Sequence, residues 1–401
     1  MAALAAAVCL FGISAGARAN GQSTGSNSPS HSRAGRNCPS QQETEDALGQ
    51  SSAFMERSQF QGAIDLLQPL SHSGCDARVS LLLAGAFEGS GDLEKAEATL
   101  QRAHVAWPYN TSISASLARE YLGAGKIDKA VAALGTFHVT ATTPYQEMEE
   151  GVVVYIAGHQ LVLANRIADT AYRTYPSVHS LLLLANVLQL QGRYKDVNRL
   201  LAGKRTAYAD SPAFLITAAE SEYDAMLYDA AGKDLEHAIV LDDGSYQAHF
   251  LLGNVLLAQS QADRAASEYR KAISLAPNEP RTYYQLALID KDKPDQAGEE
   301  GLLKQALAAD NHYAPAYCEL GNIFLNQRRF SDAVGQLNLA IQYNSQIELA
   351  YYLLARAYAG LGEKDKSDAM AKRYMAIRTA NRRSAVDNRP GQLGVNQTKI
   401  P

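Results

Sequence analysis

Few side chains in this sequence combine a reactive type with the spacing a reaction needs. Gly12-Ile13-Ser14-Ala15-Gly16 and Gly21-Gln22-Ser23-Thr24-Gly25 spell the Gly-x-Ser-x-Gly nucleophile elbow, in which a strained strand-to-helix turn exposes a serine hydroxyl. The first lies in an apolar leader and the second in a Ser/Gly/Asn-rich stretch, so neither has the strand and helix that give the spelling its chemistry. Gly123-Ala124-Gly125-Lys126 has the glycines and lysine of a phosphate cradle but lacks the leading Gly and trailing Ser or Thr. The 9 histidines form no His-Glu-x-x-His pair and no Cys/His spacing matches zinc. Asp290-Lys291-Asp292 reads as a solvated turn, because no further oxygen ligands stand at metal spacing. No catalytic residue, metal or cofactor is expected, and the chemistry on offer is that of binding.

The leader and the cysteines bear on compartment. Residues 1–19 run apolar from Ala2 to about Gly16 and end in Ala17-Arg18-Ala19, the pattern of a cleaved secretory signal, although no basic residue precedes the apolar run. That predicts an exported chain, periplasmic or secreted, with no later segment apolar enough to span a membrane. Cleavage removes Cys9 and leaves Cys38, Cys75 and Cys318. In an oxidising compartment Cys38 and Cys75 can join, for about 3 kcal/mol of stabilisation; two free thiols are the alternative. Cys318 sits in an apolar helical stretch and reads as a packing residue.

What positions the remaining residues is a repeat. Residues 20–42 read as a flexible lead-in, and from about Glu43 every apolar segment has helical spacing, with no alternating run long enough for a strand. The fold class is all-α. Compared with itself at a shift of about 34, the chain places small residues at Ala63, Ala96, Ala130, Ala164, Val197, Ala231, Ala265, Ala333 and Ser367, with Glu299 in the one large-residue slot. Twelve residues before these anchors stand Ala84, Ala118, Val152, Ala185, Ala219, Gly253, Ala287, Gly321 and Ala355, so that two antiparallel helices can approach closely. Gly91, Gly125, Gly192 and Gly362 mark the turn inside each hairpin. Phe60, Tyr194, Tyr228 and Phe330 start second helices, and Pro108, Pro176 and Pro277 stop them. The unit around residues 145–176 lacks the turn Gly, and the unit around 281–311 has Glu299 and a KDKPDQ turn.

This punctuation resembles the tetratricopeptide repeat family over about residues 43–380, most clearly in YQAHFLLGNVLLAQSQADRAASEYRKAISLAPNEP and APAYCELGNIFLNQRRFSDAVGQLNLAIQYN. The resemblance implies a right-handed superhelical solenoid of about nine to ten helix hairpins, with the first helix of each pair lining a concave groove. Residues 43–383 would form the solenoid with its C-terminal capping helix, and 384–401 a disordered tail.

Eleven residues before the anchors, the first helices would present Asn186, Asn254, Asn322, Arg119, Glu220 and Arg356. An Asn amide both donates and accepts, so it can hold the backbone of an extended peptide; bonding to neighbouring helices is the alternative. Fifteen residues before the anchors, Phe250, Tyr284 and Tyr352 form an aromatic series that can anchor apolar side chains of a partner or pack between repeats. The Leu-Gly-Asn spellings at 252–254 and 320–322 resemble carboxylate-clamp tetratricopeptide domains, but Phe250 and Cys318 stand where the clamp needs Lys, which argues against that ligand.

A formal net charge of −5 argues against a dedicated nucleic-acid binder. From Ala371 onward seven basic residues face Asp387 alone, which reads as a solvated basic cap. Asn110-Thr111-Ser112 and Asn396-Gln397-Thr398 are glycosylation sequons in a host that glycosylates. The expectation is a scaffold or adaptor that binds a peptide or helix of a partner protein, with no turnover of its own. The alternative is the substrate-recognition subunit of an envelope enzyme complex.

Overall fold

Helix starts and stops alternate along the chain with two different chemistries. Six first helices open on a side-chain cap, where Ser40, Asp76, Asn110, Ser177, Ser211 and Ser245 each accept a backbone N–H of the first turn, while those that follow Pro144, Tyr313 and Ile347 have none. Second helices mostly open without one, because the preceding turn already fixes the chain. At nine turns the backbone N–H four residues before an anchor donates to the carbonyl five residues further back, from Gln59 to Phe54 at 2.8 Å through to Glu363 to Tyr358 at 2.9 Å. This is the six-residue closure of a Schellman motif, which needs a left-handed residue just past the helix end. Gly91, Gly125, Gly192 and Gly362 supply it, as their spacing predicts. Ser58, His159, Met226, Ser260 and Arg328 occupy the same slot and take φ of 57–63° without being glycine.

The computed structural model describes residues 38–72, 74–135, 139–290 and 296–387. The leader 1–19, most of the lead-in, both elbow spellings, Lys291-Asp292 and the tail from 388 lie outside the described residues. All regular structure described is helical. The chain divides after Tyr208 into two units.

Unit 1 holds α1 (Gln41–Glu56), α2 (Phe60–Ser71), α3 (Ala77–Ser90), α4 (Leu93–Ala106), α5 (Thr111–Gly123), α6 (Ile127–Ala133), α7 (Tyr145–Ala157), α8 (Leu161–Thr174), α9 (Val178–Leu190) and α10 (Tyr194–Ala202). Unit 2 holds α11 (Pro212–Asp224), α12 (Tyr228–Leu241), α13 (Tyr246–Ala258), α14 (Ala262–Leu275), α15 (Pro280–Asp290), α16 (Gln296–Ala309), α17 (Ala314–Asn326), α18 (Phe330–Tyr343), α19 (Glu348–Gly360) and α20 (Lys364–Asp387). Each unit is thus five consecutive hairpins. Helix α1 begins at Gln41 rather than Glu43, since Ser40 and Glu43 close a reciprocal capping box. Helix α20 runs on to Asp387, past the boundary expected at 383. No described helix is long and apolar enough to cross a membrane.

The small-residue register carries the packing. All seven anchor alanines and Val197 are 0% exposed, so second helices meet their neighbours over side chains no larger than a valine. In the last hairpin the anchor Ser367 donates its hydroxyl to the carbonyl of Ala355, its partner slot, at 2.9 Å. At Gly253 and Gly321 an added Cβ would lie 2.5 Å from the Tyr269 ring and from Leu337, so only glycine lets those side chains in. Glu299 fills its anchor slot buried, with polar partners.

Two second helices are short, which the period did not predict: α6 has 7 residues and α10 has 9. After Gly135 the chain is Thr-rich, and Thr140 and Thr143 bond each other's backbone and hydroxyl groups at 3.0–3.3 Å, an alternative to helical bonds. Tyr155 donates its hydroxyl to the freed carbonyl of Leu134, and Tyr175 to that of Thr143, both at 3.0 Å. A disulfide joins Cys38, just before α1, to Cys75 in the turn between α2 and α3, with the Cα atoms 5.9 Å apart.

Candidate binding face of the first helices

Within each unit, first helices touch not only their own partners but one another: α1 with α3, α3 with α5, α5 with α7, and likewise α11 with α13 and α17 with α19. Positions four apart on a helix share a face, so the residues fifteen and eleven before each anchor fall side by side. On α19 this is direct, with the Arg356 guanidinium 5.8 Å above the Tyr352 ring.

In unit 2 the face is aromatic, and part of it is already spent. Phe250 is only 9% exposed and belongs to the core; its ring lies 5.9 Å from Tyr246 and 6.0 Å from Tyr269, under the Arg281 guanidinium at 5.4 Å. That corrects its assignment as an anchor for a partner: the ring is packed between repeats. Asn254 likewise accepts the Tyr269 hydroxyl proton at its Oδ1, at 2.7 Å. The reason is local: Gly253 admits the Tyr269 ring beside α13, and the buried phenol then needs an acceptor. Asn322 donates to Glu319 Oε2 at 3.3 Å. Both amides support packing with one end.

Tyr284 is half-buried and meets Tyr313 edge-on at 5.8 Å. Burial raises its phenol pKa, and pushes Tyr246 and Tyr313 up to about 12. Tyr352 differs. It is 44% exposed, 5.6 Å from the Tyr374 ring, while Arg378 donates to the Tyr374 hydroxyl at 2.7 Å. Tyr352 and Arg356 are therefore the two assigned residues of unit 2 that present open surface.

In unit 1 the same face is charged. Arg119 on α5 pairs with Glu88 on α3 at 3.0 Å. Glu120 is driven to about 7, first by burial and then by the Glu88 carboxylate beside it; Arg119 pulls the other way. Burial also raises Glu150 on α7, against the lowering effect of Arg119. Asn186 on α9 is half-buried, and its amide makes no hydrogen bond among the described residues.

Spacing alone did not single out Glu88, Glu120, Glu150, Tyr246, Arg281 or Tyr313. The signal available for Arg281 was its place three residues before Tyr284, on the same side of α15. Gly125 and Lys126 form a repeat turn, and the Lys126 ammonium goes to Glu97 at 2.7 Å rather than to a phosphate. Asn110 of the first sequon caps α5 by accepting from Ile113 N at 3.0 Å.

Hairpins closed by one recurring turn, each packed on the next, define a helical-repeat protein. The family profile of the tetratricopeptide repeat matches residues 48–111, 216–280 and 318–373, in both units. The chain carries tetratricopeptide repeats over these three stretches. The stretch between the first two matches contains the short helices α6 and α10, and the stretch between the last two contains Glu299. A curated relative, the cell division cycle protein 27 homolog of Caenorhabditis elegans, is 39% identical over 59 residues, a match spanning 15% of this chain and 8% of that protein. Among solved structures, a tetratricopeptide repeat protein from Parabacteroides merdae aligns at 19% identity and a TM-score of 0.46, covering 62% of this chain and 99% of that one. Yeast Tom70 aligns at 13% identity and a TM-score of 0.44, covering 86% and 96%.

Proposed function

We propose that the chain is an exported, non-catalytic scaffold whose first-helix faces bind a peptide or helix of a partner protein. The observation that carries this reading is a set of groups on those faces that the fold does not use: the unbonded Asn186 amide, the open Tyr352 ring and the exposed Arg356 guanidinium. A polar group left unbonded and partly desolvated gains from a ligand that completes its bonds, and an exposed Tyr–Arg pair is of the kind that dominates interface energies. The leader at 1–19 and the Cys38–Cys75 disulfide support export.

The test is affinity capture from the periplasmic or extracellular fraction, with wild-type protein and with Asn186→Ala, Tyr352→Ala and Arg356→Ala. Each variant changes a surface side chain, so its melting curve should match the wild type. Loss of one specific protein from the variants supports the reading; equal capture by all of them overturns it.

A further inference from the structure

Away from the first-helix face, α2, α3 and α4 line a half-open cavity of about 220 Å³ in unit 1, with His72 and Arg102 of its lining exposed to solvent. On the roughly 30 Å³ that one water takes in the liquid, it has room for about seven non-hydrogen atoms. The chemistry of its wall is one-sided. Ser71, His72, Ser80, Thr99 and Arg102 bring hydroxyl, imidazole and guanidinium groups, Trp107 and two alanines bring apolar surface, and among the described residues no carboxylate lines it.

The polar groups are held in place yet underused. Thr99 is 3% exposed and Ser80 7%. Arg102 forms no ion pair among the described residues; its two contacts, to the Ala98 carbonyl at 3.3 Å and to Thr99 Oγ1 at 3.4 Å, are long ones. An arginine without a carboxylate, next to buried hydroxyls, leaves positive charge and donors turned to the same space. The wall that carries Ser71 and His72 is braced by the disulfide at Cys75.

We infer that this cavity is a binding site for the carboxylate of a compact organic acid, with Arg102 as the counter-charge, Ser80 and Thr99 as hydrogen-bond donors, and the Trp107 ring against the acid's apolar body. That carboxylate can belong to a free small acid or to the C-terminus of a peptide. The site is separate from the first-helix face, so it stands or falls independently of the scaffold reading.

Trp107 is the one tryptophan of the chain, and its fluorescence therefore reports the cavity directly in the full-length, disulfide-bonded protein. Butyrate, neutral butyramide, inorganic phosphate and a short peptide with a free or an amidated C-terminus serve as probes. The expected result is a saturable change with butyrate or with the free-acid peptide, a response to the amides at least tenfold weaker, and at least a tenfold weaker carboxylate response in Arg102→Ala. Whichever of butyrate and the peptide binds more tightly identifies the source. Ser80→Ala, a smaller change on a buried surface, should weaken binding while leaving the melting curve in place. The inference is overturned if no carboxylate gives a saturable change, if the amides or phosphate bind as well as the carboxylates, or if folded Arg102→Ala responds like the wild type.

Discussion

Units 1 and 2 are built on one repeat register and carry opposite chemistries. In unit 1 the first-helix face is a network of charges, with Glu88, Glu120 and Glu150 around Arg119, and its Asn186 amide is unbonded. In unit 2 the face is a run of rings from Tyr246 to Tyr374, and the Asn254 and Asn322 amides are tied into the packing. The turns differ in the opposite sense. Unit 1 has glycine in three of its five left-handed slots, Gly91, Gly125 and Gly192, beside Ser58 and His159, whereas unit 2 has Met226, Ser260 and Arg328 there and only Gly362 as glycine. The anchors, 0% exposed in both units apart from Glu299 and Ser367, tolerate little variation. Residues one turn away on the first helices are free to vary, and that is where the units part.

Several changes should act on one unit and spare the other, because in a repeat stack each hairpin leans mainly on its neighbours. The largest effect is expected from Tyr269→Ala, which empties a fully buried site and leaves Asn254 without its partner. A loss of about 3–5 kcal/mol is expected in urea unfolding followed by circular dichroism, with little movement of the transition seen by Trp107 fluorescence in unit 1. Equal shifts of both transitions would mean that the units unfold together.

Opening the disulfide by Cys38→Ala with Cys75→Ala should do the converse, moving the Trp107 transition by about 3 kcal/mol and sparing unit 2. A smaller effect follows from Glu120, whose carboxyl holds its proton up to about 7 in the folded chain against 4.5 ordinarily. The folded state binds that proton more tightly, so unit 1 should lose stability as pH rises from about 4.5 to about 7 and then level off. Glu120→Gln should flatten that profile in Trp107-detected unfolding; an unchanged slope would assign the dependence to another group.

The smallest change expected is a gain. Met226→Gly removes the cost of about 1–2 kcal/mol for a left-handed non-glycine residue and gives part of it back through the looser unfolded chain. A net stabilisation of about 0.5–1 kcal/mol in unit 2 should appear as a raised urea midpoint, whereas Gly192→Ala should lower the midpoint of unit 1.

Much of the fold was legible because burial selects on size at fixed intervals. Ala63 through Ala333 mark every hairpin, and Phe60, Tyr194, Tyr228 and Phe330 each stand at the first residue of a second helix. The short α6 was not legible, since its end depends on Tyr155 arriving from the following hairpin to take up the freed carbonyl of Leu134. The left-handed slot was legible only where it held glycine. Among the candidate site residues, side-chain type and spacing put Phe250 and Tyr352 in one series, yet one ring is in the core and the other open to solvent.

The sequence by itself determined that this chain is a stack of helix hairpins, because a period of about 34 in small residues can be satisfied only if the same close helix contact recurs. Tertiary structure alone decided which polar and aromatic groups are available. Whether Asn254 can reach a ligand depends on Tyr269, and whether Phe250 can depends on Tyr246 and Arg281, neighbours that stand up to a full repeat away in the chain. A residue's type fixes which bonds it can form; only the packing around it fixes which of them are already made.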